Sequence, residues 1–583
     1  MKTLFEALQP VRSIPLIGEA ASLWHKEAEQ AFACPRLLQH DRKATFPCEA
    51  VSWLNQQDAQ LLYLPVQFGG KLRSLTSIVT LWRALAMRDL TVAVGHGKTF
   101  LGAVSVWLGG NAQQIDQVRR ALLSHEPVSW GLTERGRGAD LMATQTTATP
   151  CDQGWRLKGE KWLINNATRG NMMTVLARTE SNEAAAARNL SILLVDKRHL
   201  KPGSWRNLDK VSTYGVRGAD ISGQQWLDAE LPRDAIIGNP GQGLELTLRA
   251  LQLTRTACCG LSVGALDAGI KLTAELAQQH RLYGRRMIEL DTVQSLLAES
   301  MLISWMTEVT AWIAARHASF MPQEMSIVSA LAKAIIPSLV AQQLTSLEEQ
   351  MGARGFISDL YADGAFQKLI RDHQIVPIFD GSTVVNRVSL VPQLPTLIRN
   401  FKKGTADIDS LNKLADMRTD LPETLPLDAL TIFSRNGCSL IQALPIIIQR
   451  ISQQHSAQIT RMGFAPLLDS LLQTSQQIID DLAAEPLNWP AVPQRILLGL
   501  QRYEWLFIAA SCLLFWLNNP DKDNSLSRNK HWLPLCLTVI VRNLGLPWRL
   551  EQYPAWQSLK CSFADQTLSP ADSLLTPEAR YGH

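Results

Sequence analysis

Up to about Ser124 the apolar positions recur at helical spacing, as in Ser77 to Met87, which follows the turn Phe68-Gly69-Gly70. From Glu126 to about Asn239 the pattern breaks into short apolar runs separated by turn residues: Trp155 to Leu157, Met173 to Ala177 and Leu190 to Val195. Runs of that length predict strands of a compact β domain. Leu231-Pro232-Arg233-Asp234 and Gly238-Asn239-Pro240-Gly241-Gln242-Gly243 close that region. Helical spacing then returns and predicts helices over Leu244 to His280, Thr292 to Ser319 and Met325 to Met351, before the turn Gly352-Ala353-Arg354-Gly355. Helices, strands and helices in that order imply an α+β chain of successive domains over residues 1–125, 126–240 and 241–398. Beyond about Asn400, Pro-punctuated helical patterns such as Leu440 to Gln454 and Phe464 to Leu482 predict an additional helical domain over 399–583.

Composition narrows the classes without choosing among them. The 583 residues, 46% hydrophobic and 19% charged, suffice for a large core. A net charge of +4 without a concentrated Lys/Arg run argues against nucleic-acid binding and is compatible with an anionic small ligand or an acidic carrier protein. Nine scattered cysteines, with Cys258 and Cys259 adjacent and no C-x-x-C pair, point to reduced packing thiols rather than a metal or redox centre. Met1 to Ala20 is interrupted by Glu6, Pro10, Arg12 and Pro15, so no secretory signal is expected and a cytoplasmic protein is. Leu506 to Leu517, the most apolar run, is shorter than the about 20 residues a bilayer requires, and predicts a buried helix. Trp505 to Trp516, with Trp532 and Trp548, is aromatic enough for either an interface or a buried bundle.

Three separated motifs carry chemistry. The first is Leu132-Thr133-Glu134-Arg135-Gly136-Arg137-Gly138-Ala139-Asp140, followed by Leu157-Lys158-Gly159-Glu160-Lys161-Trp162-Leu163-Ile164-Asn165-Asn166. The second is Arg281-Leu282-Tyr283-Gly284-Arg285, and the third runs from Arg371-Asp372 to Phe379-Asp380-Gly381-Ser382-Thr383. The Gly136 to Ala139 turn lets backbone N–H groups approach a phosphate closely. Arg255 is a lone charge among Leu251, Leu253 and Ala257.

In order and spacing these motifs, from about residue 50 to 395, resemble the acyl-CoA dehydrogenase family. The resemblance implies an N-terminal helical domain, a middle β-barrel and a C-terminal four-helix bundle, with FAD between the last two. It also implies a homodimer or homotetramer in which a neighbouring subunit completes the cofactor site. It assigns Leu132, Thr133, Gly138, Ala139, Leu163, Asn165, Arg281 and Ser382 to the cofactor. Asn165 stands where the family commonly has a threonine near flavin N5, and its amide could donate there. Leu163 stands where many members place a tryptophan, while Trp162, one residue earlier on a strand, would point to the opposite face and reads equally as a core aromatic. Ala139, His280, Asp291 and Glu349 depart from the family pattern in the diphosphate region, and the two carboxylates would be unfavourable there unless turned away.

By the same resemblance Asp380 occupies the place of the family's catalytic glutamate, and Arg255 that of an arginine holding the base and thioester. An alternative base position on the middle helix is taken by Thr254 and is closed. A carboxylate that removes an α-proton, facing a flavin that takes a β-hydride, would desaturate an acyl thioester carried by CoA or a carrier protein, with an electron-transferring flavoprotein or oxygen as acceptor. Aspartate is one methylene shorter than glutamate, so two other readings remain open. Asp380 could serve a different acidic carbon, as in the related nitroalkane oxidases, or the chain could be a flavin-binding assembly subunit.

Overall fold

The computed structural model describes residues 30–179, 189–487, 491–519 and 532–565, so the amino-terminal segment Met1 to Ala20 lies outside it. Helices of seven or more residues are numbered α1 to α18. The first five are α1 (Cys34–Lys43), α2 (Cys48–Gln56), α3 (Leu75–Arg88), α4 (Leu90–Gly109) and α5 (Ala112–Leu123). Side-chain caps start them: Ser74 accepts from Thr76 N for α3, Asp89 from Val92 N for α4, and Asn111 with Gln114 forms a reciprocal capping box for α5.

Eight strands follow: β1 (Val128–Gly131), β2 (Thr147–Cys151), β3 (Gly154–Asn165), β4 (Met172–Arg178), β5 (Leu190–Asp196), β6 (Trp205–Leu208), β7 (Ile221–Pro232) and β8 (Ile236–Ile237). They form one sheet in the order β6-β7-β3-β2-β4-β5-β8, with β1 parallel to β4. The expected closed barrel is therefore corrected: among the described residues β6 and β8 end the sheet without pairing to each other. β6 is four residues long and β8 two, too short to carry a closing ladder.

The rest of the family-like region is helical: α6 (Gly243–Gln279), α7 (Asp291–Phe320), α8 (Met325–Met351), α9 (Ala365–His373), α10 (Thr383–Leu390) and α11 (Leu394–Lys403). Between α6 and α7 lies the small hairpin β9 (Arg281–Leu282) and β10 (Arg285–Arg286). The 37-, 30- and 27-residue helices α6, α7 and α8 pack on one another, and α3 and α4 lie on α6. Arg83 of α3 is fixed between Asp267 of α6, at 2.7 Å, and Glu308 of α7. Arg371 and Asp372 stitch three regions together: Arg371 Nη2 meets Asp41 Oδ2 at 2.6 Å, its Nη1 donates to Tyr214 O at 3.1 Å, and Asp372 Oδ1 accepts from Val216 N at 2.6 Å.

The remaining helices are α12 (Ile408–Ala415), α13 (Leu444–Gln454), α14 (Ser456–Met462), α15 (Ala465–Ala484), α16 (Gln494–Asn518), α17 (Trp532–Asn543) and α18 (Pro554–Ala564). The predicted single helix from Leu440 is interrupted at Ala443, just before Pro445 opens α13. α16 lies against α7, α8 and α10, and α18 against α7. Among the described residues three helices are long and apolar enough to cross a membrane, yet 83%, 89% and 72% of their apolar windows are buried in the protein. The seam between extension and bundle is polar at a few buried points. Arg387 of α10 grips Glu504 of α16 with two bonds of 2.6 and 2.8 Å. Glu324, between α7 and α8, accepts from Ser439 N at 2.8 Å and Ser439 Oγ at 2.5 Å. Lys560 of α18 pairs with Asp291.

Candidate active site

Asp380 ends a tight loop between α9 and α10. Phe379 N donates to Ile375 O at 3.0 Å and Thr383 N to Pro377 O at 3.2 Å. Asp380 lies at φ +55° and Gly381 at +91°, both left-handed. Aspartate enters that region more readily than most residues, and glycine follows without steric cost. A Cβ on Gly381 would lie 3.1 Å from Arg255 Nη2, so the loop also needs the missing side chain for space. Ser382 was expected at the cofactor. Its Oγ accepts from Val385 N at 3.3 Å, which makes it the N-cap of α10 and the anchor that ends the turn.

Four buried groups from three helices converge on this loop. Lys98 Nζ, from α4, stands 3.3 Å from both Oδ1 and Oδ2 of Asp380, with side-chain exposures of 7% and 10%. The same ammonium lies 3.5 Å from the centre of the Phe379 ring, an attractive placement for a cation. From α6, Cys258 Sγ is 3.2 Å from Asp380 Oδ2, and Arg255 Nε donates to Asp380 at 3.0 Å. That second bond puts Arg255 beside Asp380 on its backbone carbonyl, and Lys98 is the cation on the carboxylate. Lys333 Nζ, from α8, donates to Val376 O at 2.7 Å and Gly381 O at 3.3 Å. Burial pushes the Arg255 guanidinium down to about 10 and lowers Lys333. Burial, then the neighbouring Asp380 charge, pushes the Cys258 thiol well above its ordinary range, so it stays a neutral donor. Thr254 is buried and its hydroxyl donates to Leu251 O at 3.4 Å, so it offers no rival base.

A second cluster forms along β1 and β3. Thr133 O accepts from Trp162 N at 2.9 Å, which brings the two parts of the first motif together. Leu132 O accepts from Lys161 Nζ at 3.0 Å, and the same ammonium pairs with Glu134 Oε1 at 2.8 Å. Burial lowers Lys161 to about 8 against the opposing pull of Glu134. Glu134 further accepts from Gln145 N, Thr146 N and Thr146 Oγ1 at 2.7, 2.9 and 2.6 Å, so the 132–134 segment is held from below. A register shift between Trp162 and Ile164, with Leu163 at φ +59°, breaks the strand alternation. Trp162 is accordingly not a core residue. It is half-buried beneath the Arg135 guanidinium, 4.7 Å from its ring centre, and Leu163 is exposed.

The polar edge of a flavin needs hydrogen-bond partners. Asn165 Oδ1 is buried with no partner in the protein, and its amide orientation is interchangeable, so it is free to meet such an edge. A Cβ at Gly136 or Gly138 would meet nothing within 4 Å, so the turn closed by Glu134 and Arg137 is open above. These residues fit a flavin and its phosphates. Gly138 and Ala139 are exposed, and Arg281 stays within its own hairpin, where Nη1 approaches Gly284 O at 3.5 Å. The two carboxylates of the departing region are turned to other tasks: Glu349 is exposed and Asp291 is neutralised by Lys560 of the extension.

Sequence reasoning missed Lys98, Lys333, Cys258, Lys161 and Glu134. For two of them a signal existed. Lys98 is the sole Asp, Glu, Lys or Arg in α4, and Lys333 stands alone from Met325 to Leu347, so each required a buried partner.

Comparison with known proteins places this geometry. Residues 129–227 match the middle domain, and residues 241–392 the C-terminal domain, of acyl-CoA dehydrogenase. A protein of Mycobacterium tuberculosis named as a probable acyl-CoA dehydrogenase is 25% identical over 366 residues, covering 62% of this chain and 90% of its own. The structure of butyryl-CoA dehydrogenase from Megasphaera elsdenii superposes with a TM-score of 0.56 at 19% identity, over 63% of this chain and 96% of that one. An acyl-CoA dehydrogenase from Bacillus anthracis, complexed with FAD, superposes with a TM-score of 0.64 at 15% identity over 96% of this chain and 90% of that one. The last likeness extends through the C-terminal helices and shows that they belong to a shared fold.

Proposed function

As a member of the acyl-CoA dehydrogenase family the chain is an FAD oxidoreductase, and from that premise we propose that it desaturates an acyl thioester between its α and β carbons. The observation that carries the reading is Asp380, a nearly buried carboxylate at the end of a loop held by three cations. Bound FAD supplies the acceptor for two electrons and a β-hydrogen. The chain supplies the rest. Asp380 takes the α-proton on a carboxylate oxygen; Arg255 and Lys333, through the loop carbonyls, fix where that oxygen stands; the thiol of Cys258 and the ammonium of Lys98 satisfy it between turnovers. Little exposure at Asp380 keeps bulk water from protonating it during the reaction.

The thioester is carried by CoA or a carrier-protein phosphopantetheine, and the electrons leave to an electron-transferring flavoprotein or to oxygen. A second copy of this chain, in a homodimer or homotetramer, covers Tyr283, Phe356 and Leu360, which are 94%, 81% and 61% exposed. The test is spectroscopic. The purified protein carries flavin absorbance, and anaerobic butyryl- or octanoyl-CoA bleaches it; Asp380→Asn slows bleaching by about 10³- to 10⁴-fold. Bleaching by a nitroalkane alone would transfer the chemistry to that substrate class. Flavin that no substrate bleaches would favour the assembly reading.

A further inference from the structure

We propose that Lys98 is a positioning residue: its ammonium anchors the Asp380 carboxylate and matches its charge, and this makes a short-armed base serviceable. The inference rests on the reading of Asp380 as the base. The geometry is specific. Both carboxylate oxygens lie at the same 3.3 Å from Nζ, so the ammonium faces the carboxylate as a whole and not one oxygen of it. The third face of the ammonium meets the Phe379 ring at 3.5 Å, so the lysine is itself held by the residue preceding the base. Phe379, Asp380 and Lys98 thus form one unit anchored on α4, a helix from a different domain than the loop.

None of the other charged groups facing the loop does this work. Arg255 spends its Nε on the Asp380 carbonyl, and Lys333 donates to the carbonyls of Val376 and Gly381. Cys258 approaches one oxygen and carries no charge. Only Lys98 neutralises the carboxylate at contact distance among the described residues. An aspartate lacks the extra methylene with which a longer side chain could search for the substrate, so a fixed orientation replaces reach.

The experiment uses the holoenzyme and does not depend on turnover. Infrared difference spectra against Asp380→Asn follow protonation of the Asp380 carboxyl as pH falls. In Lys98→Met and Lys98→Gln the midpoint rises by at least one pH unit, while Lys98→Arg stays near the wild type. At pH 7, bleaching by butyryl-CoA slows at least tenfold in the two neutral variants. Lys98→Gln, which keeps a donor and loses the charge, carries the test if Lys98→Met does not fold. Equal midpoints in the wild type and a folded neutral variant would overturn the proposal. A shifted midpoint in a protein that no thioester bleaches would sink the desaturation reading and leave the Lys98 assignment intact.

Discussion

The Asp380 loop and the seam with the C-terminal extension both bury carboxylates, and they treat them in opposite ways. Around Asp380 three cations face one carboxylate, and two of them are spent on backbone carbonyls rather than on the acid. At the seam, among the described residues, Glu504 has a single partner, Arg387, and Glu324 has only the N–H and hydroxyl of Ser439. Burial outweighs those partners and pushes both glutamates up to about 7. Several cations crowd the one carboxylate of the loop, whereas a one-to-one pair, or none, leaves a buried acid near its titration point. The seam is nonetheless connected to the loop. Arg387 sits on α10, whose N-cap is Ser382, and the adjacent Asn386 donates to Gly381 O at 2.8 Å and Ser382 O at 3.0 Å.

The largest effect is expected from removing the one-to-one pair. Glu504→Ala leaves Arg387 buried without its acid and costs about 3–5 kcal/mol in denaturant unfolding. An unchanged midpoint would show the seam to be as amply charged as the Asp380 loop. Next comes Asp380→Glu. The added methylene displaces the acid by about 1 Å and asks a less tolerant residue to adopt φ +55°, so bleaching slows by about 100-fold. A faster variant would show that the cations accommodate either arm.

The smallest effect is a pH dependence. A glutamate raised from 4.5 to about 7 on folding contributes stability that is complete below 4.5 and is lost as pH rises through 7. The melting temperature therefore falls between pH 4.5 and pH 7 and levels off above it. In Glu324→Gln, measured by scanning calorimetry, the fall shrinks by about 2 °C. An identical fall in wild type and variant would remove Glu324 from the titration.

Long helices were the most legible part of the chain. Met325 to Met351 begins and ends where its apolar spacing predicts, and Leu244 to His280 differs by one residue at each end. Strands were found as fragments: Trp155 to Leu157 is a quarter of the twelve-residue β3, because the exposed half of a strand has no apolar signal. Sheet closure was not legible, since it depends on pairing between the distant β6 and β8. In the site, the position of Asp380 followed from its neighbours in sequence, but Lys98 lies 282 residues away and joins it only through the packing of α4 beside the bundle. The faces of Leu163 and Trp162 were not legible for a local reason: a single left-handed residue resets the alternation on which face assignments rest.

The two consecutive left-handed residues at 380 and 381 also set how this enzyme can vary. A longer acid at 380 has to adopt the left-handed φ of +55°, and a Cβ at 381 would press Arg255 Nη2 from 3.1 Å. Changing the length of the acid therefore acts on the turn as well as on its reach. Randomising position 380 singly should return aspartate as the most active solution. The short acid and its left-handed turn are in that sense one feature.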